Sequence, residues 1–282
     1  MARTRDEGLF FEYVQNNDLF GGIASKAVLV EGDSWAYHPF VSGALANQVD
    51  SLGKNDFAVL DIAHHGDEAS EMLAPGTKQR RELDRLTISK RFSFTFDMIF
   101  ISAGGNDIGN GLKTCIKDKQ QHPGLYGKEL IDDAKYAVVL SEIASWYCDF
   151  LDSLPETANA NAKVVTHCYD YFIPRPYGTP ILGIPLSEGD AHRHLIKHHI
   201  EDREEMFDIT STFLNRLLDS QKKLENDYSN LTVADTLGTL NGNDGGPDLS
   251  HWYDEIHPNS EGFRKIAKKI RKEARIRGCW PD

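Results

Sequence analysis

Five short apolar runs without polar alternation are the feature that most limits how this chain can fold. They are rich in Val, Ile, Leu and Phe and cover residues 26–31, 57–63, 98–103, 164–168 and 231–234. A strand with one wet face alternates apolar and polar residues, whereas a strand in a parallel sheet is covered on both faces. The runs therefore predict five parallel strands buried between layers of helices.

Stretches with apolar residues at helical spacing separate these runs, at residues 40–52, 127–154, 203–224 and about 260–275. Strands that alternate with helices form right-handed βαβ crossovers, and repeated crossovers build a doubly wound sheet. The chain has 282 residues, and single α/β domains often reach about 250. We expect one domain over residues 1–282. Loop excursions are predicted near residues 171–200, where prolines are dense, and near 238–253, which is rich in Gly, Asn and Asp.

Charge and hydropathy argue against several classes of partner. The formal net charge is −12, and a negative field repels phosphate backbones and anionic bilayers, so we expect no nucleic-acid partner. No run approaches the roughly 20 apolar residues of a membrane span, and no apolar signal-peptide stretch follows the N-terminus. These patterns predict a cytoplasmic protein without a membrane span and leave its oligomeric state unknown.

Three polar motifs lie at a predicted strand end or helix start. Gly32-Asp33-Ser34 follows the first run, Gly105-Asn106-Asp107 follows the third, and Asp254-Glu255-Ile256-His257 precedes the last helix. Ligands bind at the carboxyl edge of open α/β sheets, so we expect the motifs to meet there. A serine, a histidine with an acid three residues before it, and an amide side chain are the groups needed to attack a carbonyl and hold the resulting oxyanion.

Each residue of the motifs has a predicted role. Ser34 is the expected nucleophile, His257 the general base and then general acid, and Asp254 the acid that orients the imidazole. The Asn106 side chain and the backbone N–H of Gly66, just past the second run, are the expected oxyanion donors. Taken singly, each residue also fits a structural role as a helix cap, a turn residue or an exposed histidine.

With these motifs in order along the chain, the sequence resembles the SGNH hydrolases, the GDSL esterase and lipase superfamily. That family is named for Ser, Gly, Asn and His in separate blocks. Its blocks are matched by Gly32-Asp33-Ser34, with Trp35 in place of leucine, by Gly66, by Gly104-Gly105-Asn106-Asp107, and by Asp254 with His257. The resemblance implies a flavodoxin-like three-layer α/β/α sandwich whose five parallel strands have the order 2-1-3-4-5. It also implies an oxyanion hole made by the Ser34 N–H, the Gly66 N–H and the Asn106 side chain.

The motifs predict serine-dependent hydrolysis of carboxylic esters through an acyl-enzyme, with a small-molecule ester as substrate and no cofactor. Two alternatives stay open: an acyltransferase on the same scaffold, and a catalytically silent binding or adaptor protein. Trp35, Tyr37 and Trp252 are expected near the substrate, although such aromatics can also simply pack. The acyl and alcohol specificity cannot be predicted from the sequence.

Histidines outside the motifs give a weaker signal. His64 and His65 are adjacent, but neighbouring side chains usually point in different directions, and no helix-spaced pair with an acid accompanies them. A denser group comprises His192, His194, His198 and His199. We expect that group on a solvated helix, with zinc binding as the alternative, and we predict no metal site.

Overall fold

The structure is a computed structural model that describes residues 2–15, 25–54, 56–90, 94–178, 180–181, 184–185, 189–243 and 245–281. Its strands are β1 (Ala2–Thr4), β2 (Lys26–Gly32), β3 (Phe57–Asp61), β4 (Met98–Ser102), β5 (Lys163–His167), β6 (Pro180–Ile181), β7 (Ile184–Pro185) and β8 (Leu231–Ala234). Its α-helices are α1 (Glu7–Gln15), α2 (Leu45–Gly53), α3 (Ala69–Leu73), α4 (Lys78–Thr87), α5 (Gly105–Thr114), α6 (Asp133–Ser153), α7 (Asp190–Lys197), α8 (Arg203–Asp227) and α9 (Ser260–Ile276). Short 3₁₀ helices cover Gly127–Leu130 and Leu249–His251.

A six-stranded parallel sheet in the order β1-β3-β2-β4-β5-β8 forms the centre of the fold. Every residue of β3 and β4 is buried, as their unbroken apolar sequence predicts. Helices α2 and α9 pack together, while α6 packs against α3 and α8. The result is a three-layer α/β arrangement around a parallel sheet.

The prediction of five strands in the order 2-1-3-4-5 is wrong, because β1 extends the sheet beyond β3. This strand has only three residues, and its Arg3 and Thr4 do not resemble a buried run. Arg3 Nε lies 3.0 Å from an Asp61 carboxylate oxygen, and Arg5 lies 3.7 Å from the same oxygen. Arginines in and next to β1 therefore pair with the carboxylate at the end of β3. A search for apolar runs does not detect a strand of this kind.

Two predicted helices begin later than expected. The helix predicted from residue 40 begins at Leu45, so Ser34 lies in a turn and not at a helix N-terminus. The helix predicted from residue 127 begins at Asp133, where the Asp132 side chain accepts a hydrogen bond from Lys135 N at 3.2 Å. The α-helix begins after Asp132 because aspartate is a preferred N-cap, and the 3₁₀ helix Gly127–Leu130 precedes it.

The excursion at residues 171–200 contains more regular structure than its prolines suggest. It includes the antiparallel ribbon of β6 and β7, followed by α7. The assignment of the chain to a single domain stays a prediction. Among the described residues, no helix combines the length and the apolar character needed to cross a bilayer.

Candidate active site

The three motifs meet at the carboxyl edge of the sheet. Ser34 lies two residues beyond β2, in a turn where Ala36 N and Tyr37 N donate to Asp33 O at 3.1 and 3.0 Å. Asn106 lies in the first turn of α5, just after β4. The segment of residues 254–257 ends two residues before Asn259, the N-cap of α9. This is the edge at which open α/β sheets bind ligands.

Ser34, His257 and Asp254 form a continuous hydrogen-bonded chain. His257 Nε2 lies 2.8 Å from Ser34 Oγ, and His257 Nδ1 lies 2.9 and 2.8 Å from the two carboxylate oxygens of Asp254. All three side chains are buried. An ionised carboxylate only accepts hydrogen bonds, so it keeps the imidazole proton on Nδ1 and leaves Nε2 free to accept from the serine hydroxyl.

The loop that carries Asp254 and His257 is held by its own hydrogen bonds. Asp254 Oδ1 accepts from Ile256 N at 3.0 Å and from His257 N at 2.8 Å. Trp35 Nε1 donates to Ile256 O at 3.0 Å, which ties this loop to the turn of Ser34. These contacts limit how far the imidazole can move from the hydroxyl.

Glu255 connects this loop to the 171–200 excursion. Its buried carboxylate accepts from Arg175 N at 3.1 Å, Ala191 N at 3.0 Å and His192 N at 2.8 Å. Arg175 Nη2 in turn donates to Asp254 O at 2.6 Å. Burial raises the pKa of Glu255 to about 7. The sequence motifs did not predict Glu255 or Arg175 as contributors to the site.

Gly66 and Asn106 both line the cleft beside Ser34. Asn106 Nδ2 donates to Asp67 O at 2.6 Å, which fixes the orientation of the amide and leaves its second hydrogen for another acceptor. Asp107 accepts from Ala69 N at 2.9 Å, so α5 holds the Gly66 loop at two points. Gly66 has a φ of +92°, a conformation that favours glycine.

The Asp33 carboxylate holds the turn of Ser34 in place through hydrogen bonds. It accepts from Trp35 N at 3.0 Å, from Ser102 Oγ at 3.0 Å and from Tyr169 Oη at 2.6 Å. Ser102 Oγ also lies 2.9 Å from His167 Nε2. Burial raises the pKa of Asp33 to about 6. A buried polar network of this kind joins the ends of β2, β4 and β5 beneath the proposed nucleophile.

Gly105 of the third motif has a packing role that the sequence does not reveal. A Cβ atom at this position would lie 2.6 Å from the Tyr169 ring, which is too close for a real contact. The glycine therefore lets Tyr169 reach Asp33.

A cleft of about 250 Å³ opens beside Ser34. Part of its wall is apolar and comes from α5, α8 and the 171–200 excursion. The apolar residues are Ile108, Leu112, Phe172 and Leu214, and the charged or titratable ones include Glu68, Asp190, Arg193 and His194.

The three aromatic residues predicted near substrate have different surroundings. Trp35 lines the cleft. The Tyr37 ring lies under the Arg5 guanidinium at 4.3 Å, and the Trp252 ring packs 6.3 Å from that of Trp35. The structure does not place Tyr37 or Trp252 on the cleft wall, so substrate contact by these two stays a prediction.

The four histidines at 192–199 have separate surroundings, and His192 Nδ1 is buried without a hydrogen-bond partner among the described residues. His194 lines the cleft, His198 Nε2 lies 3.2 Å from Lys113 O, and His199 Nδ1 lies 3.0 Å from Asp118 Oδ2. Within the described residues, these histidines do not gather into a group of three metal-ligating side chains.

Solved structures share this fold at low sequence identity. A lipase from a goat rumen metagenome aligns with a TM-score of 0.52 and 15% identity, over 88% of this chain and 97% of that chain. An extracellular lipase from Streptomyces rimosus aligns with a TM-score of 0.51 and 14% identity, over 87% and 100%. A protein named as a GDSL-like lipase from Parabacteroides merdae aligns with a TM-score of 0.50 and 13% identity, over 90% and 97%.

The chain therefore shares the fold of these lipases, one of which is named as GDSL-like. No protein-family model matches the chain. No curated protein matches it either.

Proposed function

We propose that this protein is a serine-dependent carboxylic ester hydrolase with Ser34, His257 and Asp254 as its catalytic triad. The observation that carries the proposal is the hydrogen-bonded chain from Asp254 through His257 to Ser34, which ends at a cleft. The SGNH/GDSL fold supports the same activity, but fold alone does not fix function.

Acylation begins when Ser34 Oγ attacks the ester carbonyl carbon. His257 Nε2 accepts the hydroxyl proton across the 2.8 Å hydrogen bond, and Asp254 stabilises the imidazolium that results. When the tetrahedral intermediate collapses, His257 returns that proton to the departing alcohol. A water molecule, deprotonated by His257, then attacks the acyl-serine, releases the acid and restores the Ser34 hydroxyl.

The oxyanion of the tetrahedral intermediate is held by the Ser34 N–H, the Gly66 N–H and the free hydrogen of Asn106 Nδ2. The bond from Asn106 to Asp67 O holds the amide in place before substrate arrives. A donor that needs no reorganisation during the reaction stabilises the transition state most effectively.

The cleft favours an ester with a small acyl group. Its volume of about 250 Å³ is below the roughly 300–1,000 Å³ of pockets for drug-sized ligands. Ile108, Leu112 and Leu214 supply an apolar wall for a short alkyl chain. We therefore expect acetate and butyrate esters to be turned over faster than long-chain esters.

The role of Ser34 is tested with p-nitrophenyl acetate and the Ser34→Ala protein. We expect kcat to fall by roughly 10⁴-fold or more, because the nucleophile is removed. Ser145→Ala is the matched control, since this serine is exposed and its hydroxyl donates to Glu142 O within α6. Wild-type turnover by the Ser34→Ala protein would contradict the proposed mechanism.

The assignment of the acyl site is tested by filling the cleft from α5. Gly109 lines the cleft, and a Cβ atom placed on it meets no atom of the described residues within 4 Å. Gly109→Leu should therefore lower kcat/KM for the butyrate ester more than for the acetate ester. Gly124→Leu is the control, because Gly124 has equally open space and lies outside the cleft lining. An unchanged butyrate-to-acetate ratio in Gly109→Leu would place the acyl group elsewhere.

A further inference from the structure

Three histidines from separate segments meet beside the proposed nucleophile. The ring centroid of His38 lies 4.6 Å from that of His257 and 5.1 Å from that of His65. One nitrogen atom from each of the three side chains lies within 4.8 Å of the other two. His38 follows Ser34 by four residues and His65 directly precedes Gly66, so the cluster adjoins the triad and the proposed oxyanion hole.

His38 has a ring nitrogen that lacks a partner. Its side chain is buried, with 4% of the residue exposed. Nδ1 accepts from Phe40 N at 3.2 Å, whereas Nε2 is buried without a hydrogen-bond partner among the described residues. Buried polar atoms are nearly always paired, so an unpaired one in a cluster of metal-ligating side chains points to a missing ligand.

We propose that His38, His65 and His257 bind a Zn²⁺ ion, and that the bound ion reversibly switches off the catalytic triad. Neutral imidazole is a preferred ligand of Zn²⁺, with a bond of about 2.0–2.1 Å. Zn²⁺ ligation needs the neutral form of each ring, and the burial of His38 favours that form.

The required movement is small. Tetrahedral ligands at such a bond length lie about 3.3 Å apart, so donor atoms within 4.8 Å must close by at most about 1.5 Å. His65 is exposed and can supply most of this movement. When His38 Nε2 binds Zn²⁺, the ring proton moves to Nδ1. Nδ1 then no longer accepts the hydrogen bond from Phe40 N. Phe40 lies at the surface, where water can replace that bond.

The contact between Asp254 and His257 suits metal binding as well as catalysis. A histidine that ligates zinc usually donates its other ring N–H to a carboxylate, and Asp254 accepts from His257 Nδ1. Coordination then uses the Nε2 lone pair of His257, which is the lone pair that must accept the Ser34 proton. Zinc and proton transfer therefore compete for one atom.

The binding site is tested by calorimetric titration of the full chain with ZnCl₂, without substrate. We expect one Zn²⁺ per chain, with an affinity at least about tenfold weaker in His65→Ala, since even outer-shell changes cost 10–100-fold. His64→Ala is the matched control, because this adjacent, exposed side chain faces Asp67 at 3.8 Å. It should bind zinc as the wild type does. Absence of binding, or equal affinity in wild type and His65→Ala, would overturn the site.

The switch is tested by hydrolysis of p-nitrophenyl acetate at increasing Zn²⁺ concentration. We expect inhibition that EDTA reverses and that shifts to at least about tenfold higher zinc in His65→Ala, in parallel with the affinity. Zinc binding that depends on His65 without inhibition would refute the switch. This measurement rests on the proposed function, whereas the calorimetry does not: zinc binding by a protein without esterase activity would refute the function and leave the site standing.

Discussion

Replacement of Asp254 by Asn tests how the triad sets the protonation of His257. Asp254 Oδ1 accepts from the backbone N–H groups of Ile256 and His257 at 3.0 and 2.8 Å. In the Asp254→Asn protein, these two donors hold the amide oxygen in the place of Oδ1. The amide NH₂ group must then take the place of Oδ2, which lies 2.8 Å from His257 Nδ1.

An NH₂ group donates, so it makes His257 Nδ1 an acceptor and moves the ring proton to Nε2. Nε2 then cannot accept the Ser34 proton. A wrong tautomer of this kind lowers kcat by about 10⁴-fold, which corresponds to about 5 kcal/mol of activation free energy. The backbone contacts of the loop survive the change, so we expect the thermal unfolding temperature to stay close to that of the wild type.

The measurement is kcat for p-nitrophenyl acetate, with thermal unfolding followed in parallel by circular dichroism. Asp248→Asn is the control, because Asp248 caps the 3₁₀ helix in the preceding loop and has no contact with His257 among its hydrogen bonds. A folded Asp254→Asn protein with kcat within about tenfold of the wild type would refute the tautomer argument.

Three further predictions follow from the surrounding contacts. Asn106→Ala should lower kcat by about 10²–10³-fold with little change in KM, because the amide acts on charge formed in the transition state; a selective rise in KM on steady-state analysis would contradict this. The raised pKa of Asp33, about 6 against an ordinary 3.8, means that its contribution to the unfolding free energy is complete below about pH 4 and lost as the pH rises through 6. In urea denaturation, the unfolding free energy of Asp33→Asn relative to that of the wild type should therefore rise by about 3 kcal/mol between pH 4 and pH 8. A difference in unfolding free energy that does not change with pH would exclude the raised pKa. Glu255→Gln removes one of two acceptor oxygens, so amide hydrogen exchange at Arg175 and residues 191–192 should accelerate, and unchanged rates would show that Glu255 does not hold the excursion.

The sequence predicted the parts of the fold that depend on continuous apolar burial. The runs that became β2, β3, β4, β5 and β8 contain several buried apolar residues each, which gives a pattern that can be read locally. Strand β1 could not be found in this way, because its place in the sheet depends on backbone pairing with β3 and on charges that meet Asp61.

In the candidate site, too, some residues could be predicted from the sequence and others could not. Ser34, Asn106, Asp254 and His257 follow strand ends or precede a helix in short motifs, and the structure brings them to one edge of the sheet. The supporting contacts join residues that are distant in sequence. Glu255 reaches Arg175 across 80 positions, for example, and no local pattern encodes such a contact.

The histidine cluster was missed for the same reason. Each member comes from a different loop, and the spacing rules for metal ligands apply within one helix or turn. His64 and His65 are adjacent in the sequence, yet of the two only His65 belongs to the cluster. The sequence does not show which of two adjacent side chains faces the site.

Covalent labelling with a fluorophosphonate tests most directly whether the imidazole of His257 activates the hydroxyl of Ser34. We expect a single adduct, located on Ser34 by peptide mass spectrometry. Labelling should be lost in Ser34→Ala and strongly slowed in Asp254→Asn. A folded wild-type protein that takes no label, or takes it at another residue, would contradict the account and favour a catalytically silent binding protein.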